Sequence, residues 1–209
     1  MSGPKKAILA TAVLIVSLVF VGCQRAGAGG GSTSPTAGLG SSFTLPQGLI
    51  EDWAGFDGDT ASVVLFDAGG ATVHTYGPVT IDGGFFPGLQ ITAPPQGTLL
   101  AMDDLQNELG VTLATTNPDA RFQIFEELMI NGGLFDMVYR ESDEAFIGWL
   151  YADRNVVVSA EDDTTIPGTT VIIDLNLVTG WNRFVVTPNL TGSTVRTGSE
   201  PAGTRWVMD

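Results

Sequence analysis

The chain has 209 residues, 23 of them acidic and nine basic, for a formal charge of −14, with 44% hydrophobic and only 15% charged residues. That much apolar side chain offsets the entropy cost of ordering a chain, so the acidity does not mark disorder. It does leave no basic footprint for nucleic acid or anionic headgroups, and nucleic-acid binding is excluded on that ground.

The chain opens with Lys5 and Lys6, continues through an apolar run from Ala7 to Val21, and then reaches Gly22 and Cys23, the sole cysteine. Basic region, apolar region, small residue and cysteine in that order are the layout of a secretory signal. An apolar run of 15 residues is short of the roughly 20 that a spanning helix needs. The residues Phe20-Val21-Gly22-Cys23 resemble the lipobox of bacterial lipoproteins, with Phe20 where that family usually has leucine. The resemblance covers the first two dozen residues. It implies cleavage before Cys23, acylation of its sulfur and an extracytoplasmic protein held to a membrane by lipid; Gln24, in place of aspartate, implies the outer membrane in a cell that has one. Stable anchoring takes two or more chains at about 0.8 kcal/mol per buried CH₂. No second cysteine exists to form a disulfide within the chain. Loss of residues 1–22 leaves seven arginines, no lysine and all 23 acids, a formal charge of −16.

Residues 23–42 follow as the lipidated cysteine and a Gly/Ser/Thr-rich tether, about 20 to 25 Å long on average as a coil. Beyond it, isolated turns separate apolar runs of five to ten residues. That punctuation predicts an all-β fold, an antiparallel β-sandwich built as one large or two small modules, divided as 43–101 and 102–209. In the first module, Ala61–Asp67 and Ala71–Tyr76 flank Ala68-Gly69-Gly70, while Val79–Ile81 and Phe85–Ile91 flank Asp82-Gly83-Gly84. Residues 43–101, with the early turn Trp53-Ala54-Gly55-Phe56 and a late Pro94-Pro95, resemble the transthyretin-like and carboxypeptidase-regulatory-like sandwich modules.

Met102–Leu109 is the best helix candidate, since Asp103 and Asp104 stand near its start, Met102, Leu105 and Leu109 share a side, and Gly110 follows its end. Residues 121–130 admit two readings. Pro118 and the spacing of Phe122, Phe125 and Met129 suit a helix, whereas the turn Asn131-Gly132-Gly133 suits a hairpin with 134–140, and the strand is favoured. Two more hairpins are expected: Ala145–Tyr151 with Val156–Ala160 across Ala152-Asp153-Arg154-Asn155, and Gly168–Leu177 with Trp181–Thr187 across Thr179-Gly180. Over residues 145–207, Trp149-Leu150-Tyr151-Ala152-Asp153-Arg154, Asp174-Leu175-Asn176-Leu177, Gly180-Trp181-Asn182 and Trp206 resemble a recurrent pattern in secreted bacterial lipoproteins of uncharacterised function. The same residues have a structural explanation: tryptophans that fill a core with N–H groups turned to the rim, and Asp153 and Asn155 in turns.

Reactive groups are scarce. His74 is the one histidine, in an expected strand where a surface or rim position suits it, and no Gly-x-Ser-x-Gly elbow occurs. With Cys23 lipidated and no lysine in the mature chain, Cys/His catalysis, a His/Cys zinc site, Schiff-base chemistry and a P-loop are excluded. Carboxylates remain, in the clusters Asp57-Gly58-Asp59, Glu141-Ser142-Asp143-Glu144 and Glu161-Asp162-Asp163, all expected in solvated turns. None has EF-hand spacing. The sequence thus assigns no catalytic, cofactor or metal residue and one modification site, Cys23. It points to a non-catalytic envelope protein that touches the membrane through lipid and binds an envelope protein or polysaccharide. A carbohydrate-binding or calcium-dependent adhesion module, with Trp53, Phe56, Phe85 and Phe86 as a stacking platform, is the alternative, and a carboxylate-based hydrolase the second.

Overall fold

The computed structural model describes residues 38–131, 133–142, 145–166, 169–189, 191–199 and 203–208. The signal, Cys23 and all but the end of the tether lie outside these. Sixteen strands and one α-helix follow in chain order: β1 Ser42–Leu45, β2 Gly48–Glu51, β3 Thr60–Phe66, β4 Thr72–Thr80, β5 Phe85–Phe86, β6 Leu89–Thr92, α1 Met102–Leu109, β7 Ala114–Thr115, β8 Phe122–Phe125, β9 Glu127–Ile130, β10 Gly133–Ser142, β11 Ala145–Ala152, β12 Val156–Ile166, β13 Thr169–Leu177, β14 Gly180–Asn189, β15 Gly192–Thr197 and β16 Arg205–Met208. The protein is all-β and mostly antiparallel, as its turn spacing predicts. Two pairings are parallel, β13 with β15 and β2 with β16.

The middle layer is β8, β11 and β14. Alternate residues of each strand enter opposite cores: Ile147, Trp149, Tyr151, Phe125 and Trp181 go to one, and Leu150, Ala152, Phe122 and Phe184 to the other. β11 is therefore buried on both faces, which explains why Ala145–Ala152 reads as an unbroken apolar run instead of alternating. The first core lies between this layer and β1 to β6. It is built on an aromatic cluster in which Phe125 stacks on Trp149 at 5.0 Å and meets Trp181 edge-on at 5.4 Å, while Trp206 meets Phe86 edge-on at 5.0 Å. The second core lies inside a sheet that curls from β8 and β11 through β14, β15, β13 and β12 to β7. There Val156, Val158, Val171, Ile173, Leu175 and Leu177 line one wall, and α1 contributes Met102 and Leu105.

α1 occupies the predicted range. The Asp104 carboxylate accepts the Ala101 N–H at 3.0 Å, satisfying one orphan donor of the first turn, and Gly110 ends the helix in the left-handed region with φ +68°. The strand reading of 121–130 also holds, and β9 and β10 form the expected hairpin, with Asn131 at φ +53°; Gly132 lies outside the described residues. The run does not serve one partner throughout, however. β10 and β11 pair only at Arg140 with Phe146 and Ser142 with Ala145, then splay. The run 122–130 enters the fork: β8 pairs along β11 and β9 along β10, with Glu126 at the point of division. β3 and β4 form the other expected hairpin, its turn locked by Asp67 Oδ1, which accepts the N–H groups of Gly69 and Ala71. Around Asp82-Gly83-Gly84 only Asp82 and Phe85 bridge; Val79 and Thr80 before the turn continue β4 and stay paired with β3, while β5 and β6 after it pair with β2 and β1.

Two expected hairpins do not form. β11 and β12 face each other across the second core, because both edges of β11 are already taken, by β14 on one side and by β8 and β10 on the other. The link between them is an arch. Its backbone neighbours are satisfied by side chains: Asp153 Oδ1 accepts the Arg121 N–H at 2.9 Å, and Asn155 Oδ1 accepts the Thr179 N–H at 2.9 Å. β13 and β14 are likewise adjacent in sequence but separated by β15, which pairs parallel with β13 and antiparallel with β14. The bend is fixed by Asn182, a buried side chain whose Nδ2 donates to the carbonyls of Val178 at 2.8 Å and Gly180 at 2.9 Å while its Oδ1 accepts the Val178 N–H at 3.0 Å. Strand pairs β3–β9 and β2–β16 join residues of 43–101 to residues of 102–209. Thr92 adds a further tie, its carbonyl accepting from Tyr76 Oη at 2.8 Å and Trp181 Nε1 at 2.9 Å.

Candidate functional surface

The carboxylates singled out in the sequence do not converge. Asp57, Asp59 and their loop sit at one end of the first core, and each acid is engaged by backbone. Asp57 Oδ1 accepts the Gly83 N–H at 3.0 Å; Asp59 Oδ2 accepts the Phe56 N–H at 2.8 Å and its Oδ1 accepts Asn131 Nδ2 at 2.8 Å. The Asn131 amide and then the Phe56 N–H hold the Asp59 carboxyl below its ordinary value. Glu161 is an exposed residue of β12 and not of a turn, which corrects the expectation for Glu161-Asp162-Asp163: the strand runs on to Ile166. Glu141 and Ser142 likewise belong to β10, while Asp143 and Glu144 lie outside the described residues. Among the described residues no three of Asp, Glu, His and Cys stand close enough together to hold a metal ion.

His74 is half-buried in β4, its ring edge-on to Tyr76 at 4.5 Å. Asp153 is opposed by burial, but its bidentate pair with Arg154 and its bond from Arg121 outweigh that and draw its carboxyl down. Tyr76 is pushed up to about 12, chiefly by burial. The tryptophans behave as the structural reading expects: Trp181 and Trp206 are enclosed, with Nε1 donating to the carbonyls of Thr92 and Pro46 at 2.9 and 2.8 Å. Asp153 and Asn182 of the recurrent pattern, and Asn155 beside it, are spent on corners, whereas Asp174 and Asn176 lie within β13.

One titratable group was not legible in the sequence. Glu126, at the fork between β10 and β11, is half-buried, and the desolvation of its carboxyl, with the neighbouring Glu127 charge adding to it, raises its pKa from 4.5 to about 7. The strand run divides at this residue, which no local pattern announces.

The four aromatics expected as a stacking platform separate. Phe86 is fully buried, and Trp53 packs partly buried against the first core. Its ring lies so close under Gly84 and Gly55 that a Cβ at either would meet it at 3.1 and 2.3 Å. Phe56 and Phe85 stay in solvent, at 80% and 39% exposure, and a residue the sequence did not single out joins them: Leu49, 71% exposed. Leu49 and Phe85 are direct cross-strand partners of β2 and β5, so they share a face. The Phe56 loop is fastened to the 81–84 turn by Asp57 and by the Gly58 N–H donating to Ile81 O at 3.2 Å. Leu49, Phe56 and Phe85 therefore stand on segments bonded to one another around the 81–86 turn, with Val157 on β12 as the other exposed large apolar residue described. No helix among the described residues is long and apolar enough to cross a membrane. No protein-family profile, curated protein or solved structure matches the chain.

Proposed function

We propose that this protein is a lipid-anchored, extracytoplasmic component of a bacterial cell envelope that binds or supports another envelope molecule and catalyses no reaction. The observation that carries the reading is the order Lys5-Lys6, apolar 7–21, Gly22 and Cys23, ending at the one cysteine of the chain. The use of polar groups supports it: Asp57, Asp59, Asp67, Asp104, Asp153, Asn155 and Asn182 each hold backbone at a turn, corner or cap. Lipid on Cys23 and the tether would keep the sandwich near the membrane while leaving its surfaces free to meet partners.

Expression of the full chain and of Cys23→Ser in a bacterium supplied with a labelled fatty acid tests this. The native chain should take up label and sediment with membranes; the serine variant should take up none and be either soluble or an uncut precursor. A serine variant that is processed and sediments as before defeats the anchoring.

A further inference from the structure

We propose that the segments carrying Leu49, Phe56 and Phe85 around the 81–86 turn form the binding surface, and that its partner is a polypeptide segment in which apolar side chains alternate with basic ones. This rests on the binding role just proposed and adds the place and the partner's chemistry.

Exposure is the first argument. Leu49 and Phe85 face water from paired strands although their chain neighbours Ile50 and Phe86 are buried, so these strands are two-faced, with apolar residues on the outer face as well. Phe56 is held out on a loop whose backbone is tied down by Asp57, Asp59 and Gly58, so little loop entropy is left to lose when a partner covers it. Exposed apolar groups with a polar rim are the usual composition of an interaction site.

Charge selects the occupant. Residues 48–59 and 82–86 contain Glu51, Asp52, Asp57, Asp59 and Asp82 and no basic residue. The described cation beside them is Arg205, paired with Glu51. A second copy docked by the same face would bring these acids against themselves, and an anionic membrane surface would be repelled. A sugar-stacking platform built on the largest ring here is disfavoured, because Trp53 packs partly buried against the first core with Gly84 and Gly55 close against it. A basic and apolar polypeptide satisfies both features, the apolar residues giving affinity and the cations steering approach and fixing register.

The test is titration of the lipid-free chain, from Gln24 onward, with three 12-residue synthetic peptides: alternating Lys-Leu, alternating Glu-Leu and alternating Lys-Ser. The Lys-Leu peptide should bind saturably and weaken with added salt. Phe56→Ala and Phe85→Ala should each lower its affinity at least about tenfold, the size expected of an anchoring side chain, while Val157→Ala, on β12, leaves it unchanged. Phe56 is largely in solvent, so Phe56→Ala should keep the native circular dichroism. The idea is overturned if the Lys-Leu peptide fails to bind, if all variants bind it equally, if Glu-Leu or Lys-Ser binds as well, or if the same substitutions instead abolish self-association or oligosaccharide binding. None of these results depends on Cys23, so failure here and failure of the anchoring are separately visible.

Discussion

Glu126 makes stability depend on pH in a direction opposite to that of most carboxylates. Its folded-state pKa, about 7, lies above its ordinary 4.5, so between those values the folded chain holds a proton that the unfolded chain has released. Stability from this group is complete below pH 4.5 and is lost as pH rises through 7. A rise of about 2.5 units at 1.36 kcal/mol each sets a ceiling of about 3 kcal/mol. Because the residue keeps some exposed surface, about 2 kcal/mol is the expected size. Glu126→Gln keeps the shape and hydrogen-bonding capacity but removes the titration. Urea unfolding of the lipid-free native and variant chains from pH 4 to pH 8 isolates the effect, since every other acid is common to both. The variant should gain about 2 kcal/mol relative to the native chain across that range, a midpoint shift of about 1 M urea for a slope of about 2 kcal/mol per M. A difference that is flat with pH, or that grows towards acid, refutes the desolvation of this carboxyl.

Gly148 lies opposite Phe184 in the middle layer, and a Cβ there would meet the Phe184 ring at 2.2 Å. Gly148→Ala should therefore cost about 1 to 3 kcal/mol through overpacking, readable as a lower melting temperature, and pairing it with Phe184→Leu should recover part of the loss. Asn182→Leu removes the clamp on the β13–β14 corner and leaves the carbonyl and N–H groups of Val178 without that partner. A loss of about 2 to 3 kcal/mol is expected, and an unchanged unfolding midpoint would show that the corner holds without it.

Local features of the fold were legible because their causes are local. α1 was readable from Asp103, Asp104 and Gly110, since caps and charges act within one turn. The β3–β4 and β9–β10 hairpins were readable because Asp67 with Gly70, and Asn131 at positive φ, build the turn by themselves. The two failed hairpins rest on a different inference, that strands close in sequence pair in space. That rule holds only while an edge is free. β11 has none to spare, and β14 is reached by β15, a polar strand, Gly192–Thr197, whose Ser-Thr-rich sequence gives no burial signal. Parallel pairing of β13 with β15 is invisible locally for the same reason. Residues 171–177 alternate as an edge-buried strand does whichever neighbour it takes.

The surface was legible in its chemistry and not in its membership. Four aromatics near turns were readable from the sequence, but whether a ring near a turn is exposed depends on what the turn folds onto. Trp53 and Phe56 are three residues apart in one loop and take opposite fates, because the glycines at 55 and 84 leave room for the indole to pack against the core, while the Asp59 carboxylate fixes the Phe56 backbone and its ring projects outward. Leu49 was missed since an alternating strand normally puts its apolar residues on one face. Gly48-Leu49-Ile50-Glu51 places Ile50 inward and Leu49 outward, a violation that period-two reading assigns to neither core nor surface. Such a violation costs solubility and gives no packing in return. Leu49, Phe56 and Phe85 kept in water among Glu51, Asp52, Asp57, Asp59 and Asp82 are the pairing of apolar surface with negative charge on which the proposed basic and apolar partner rests.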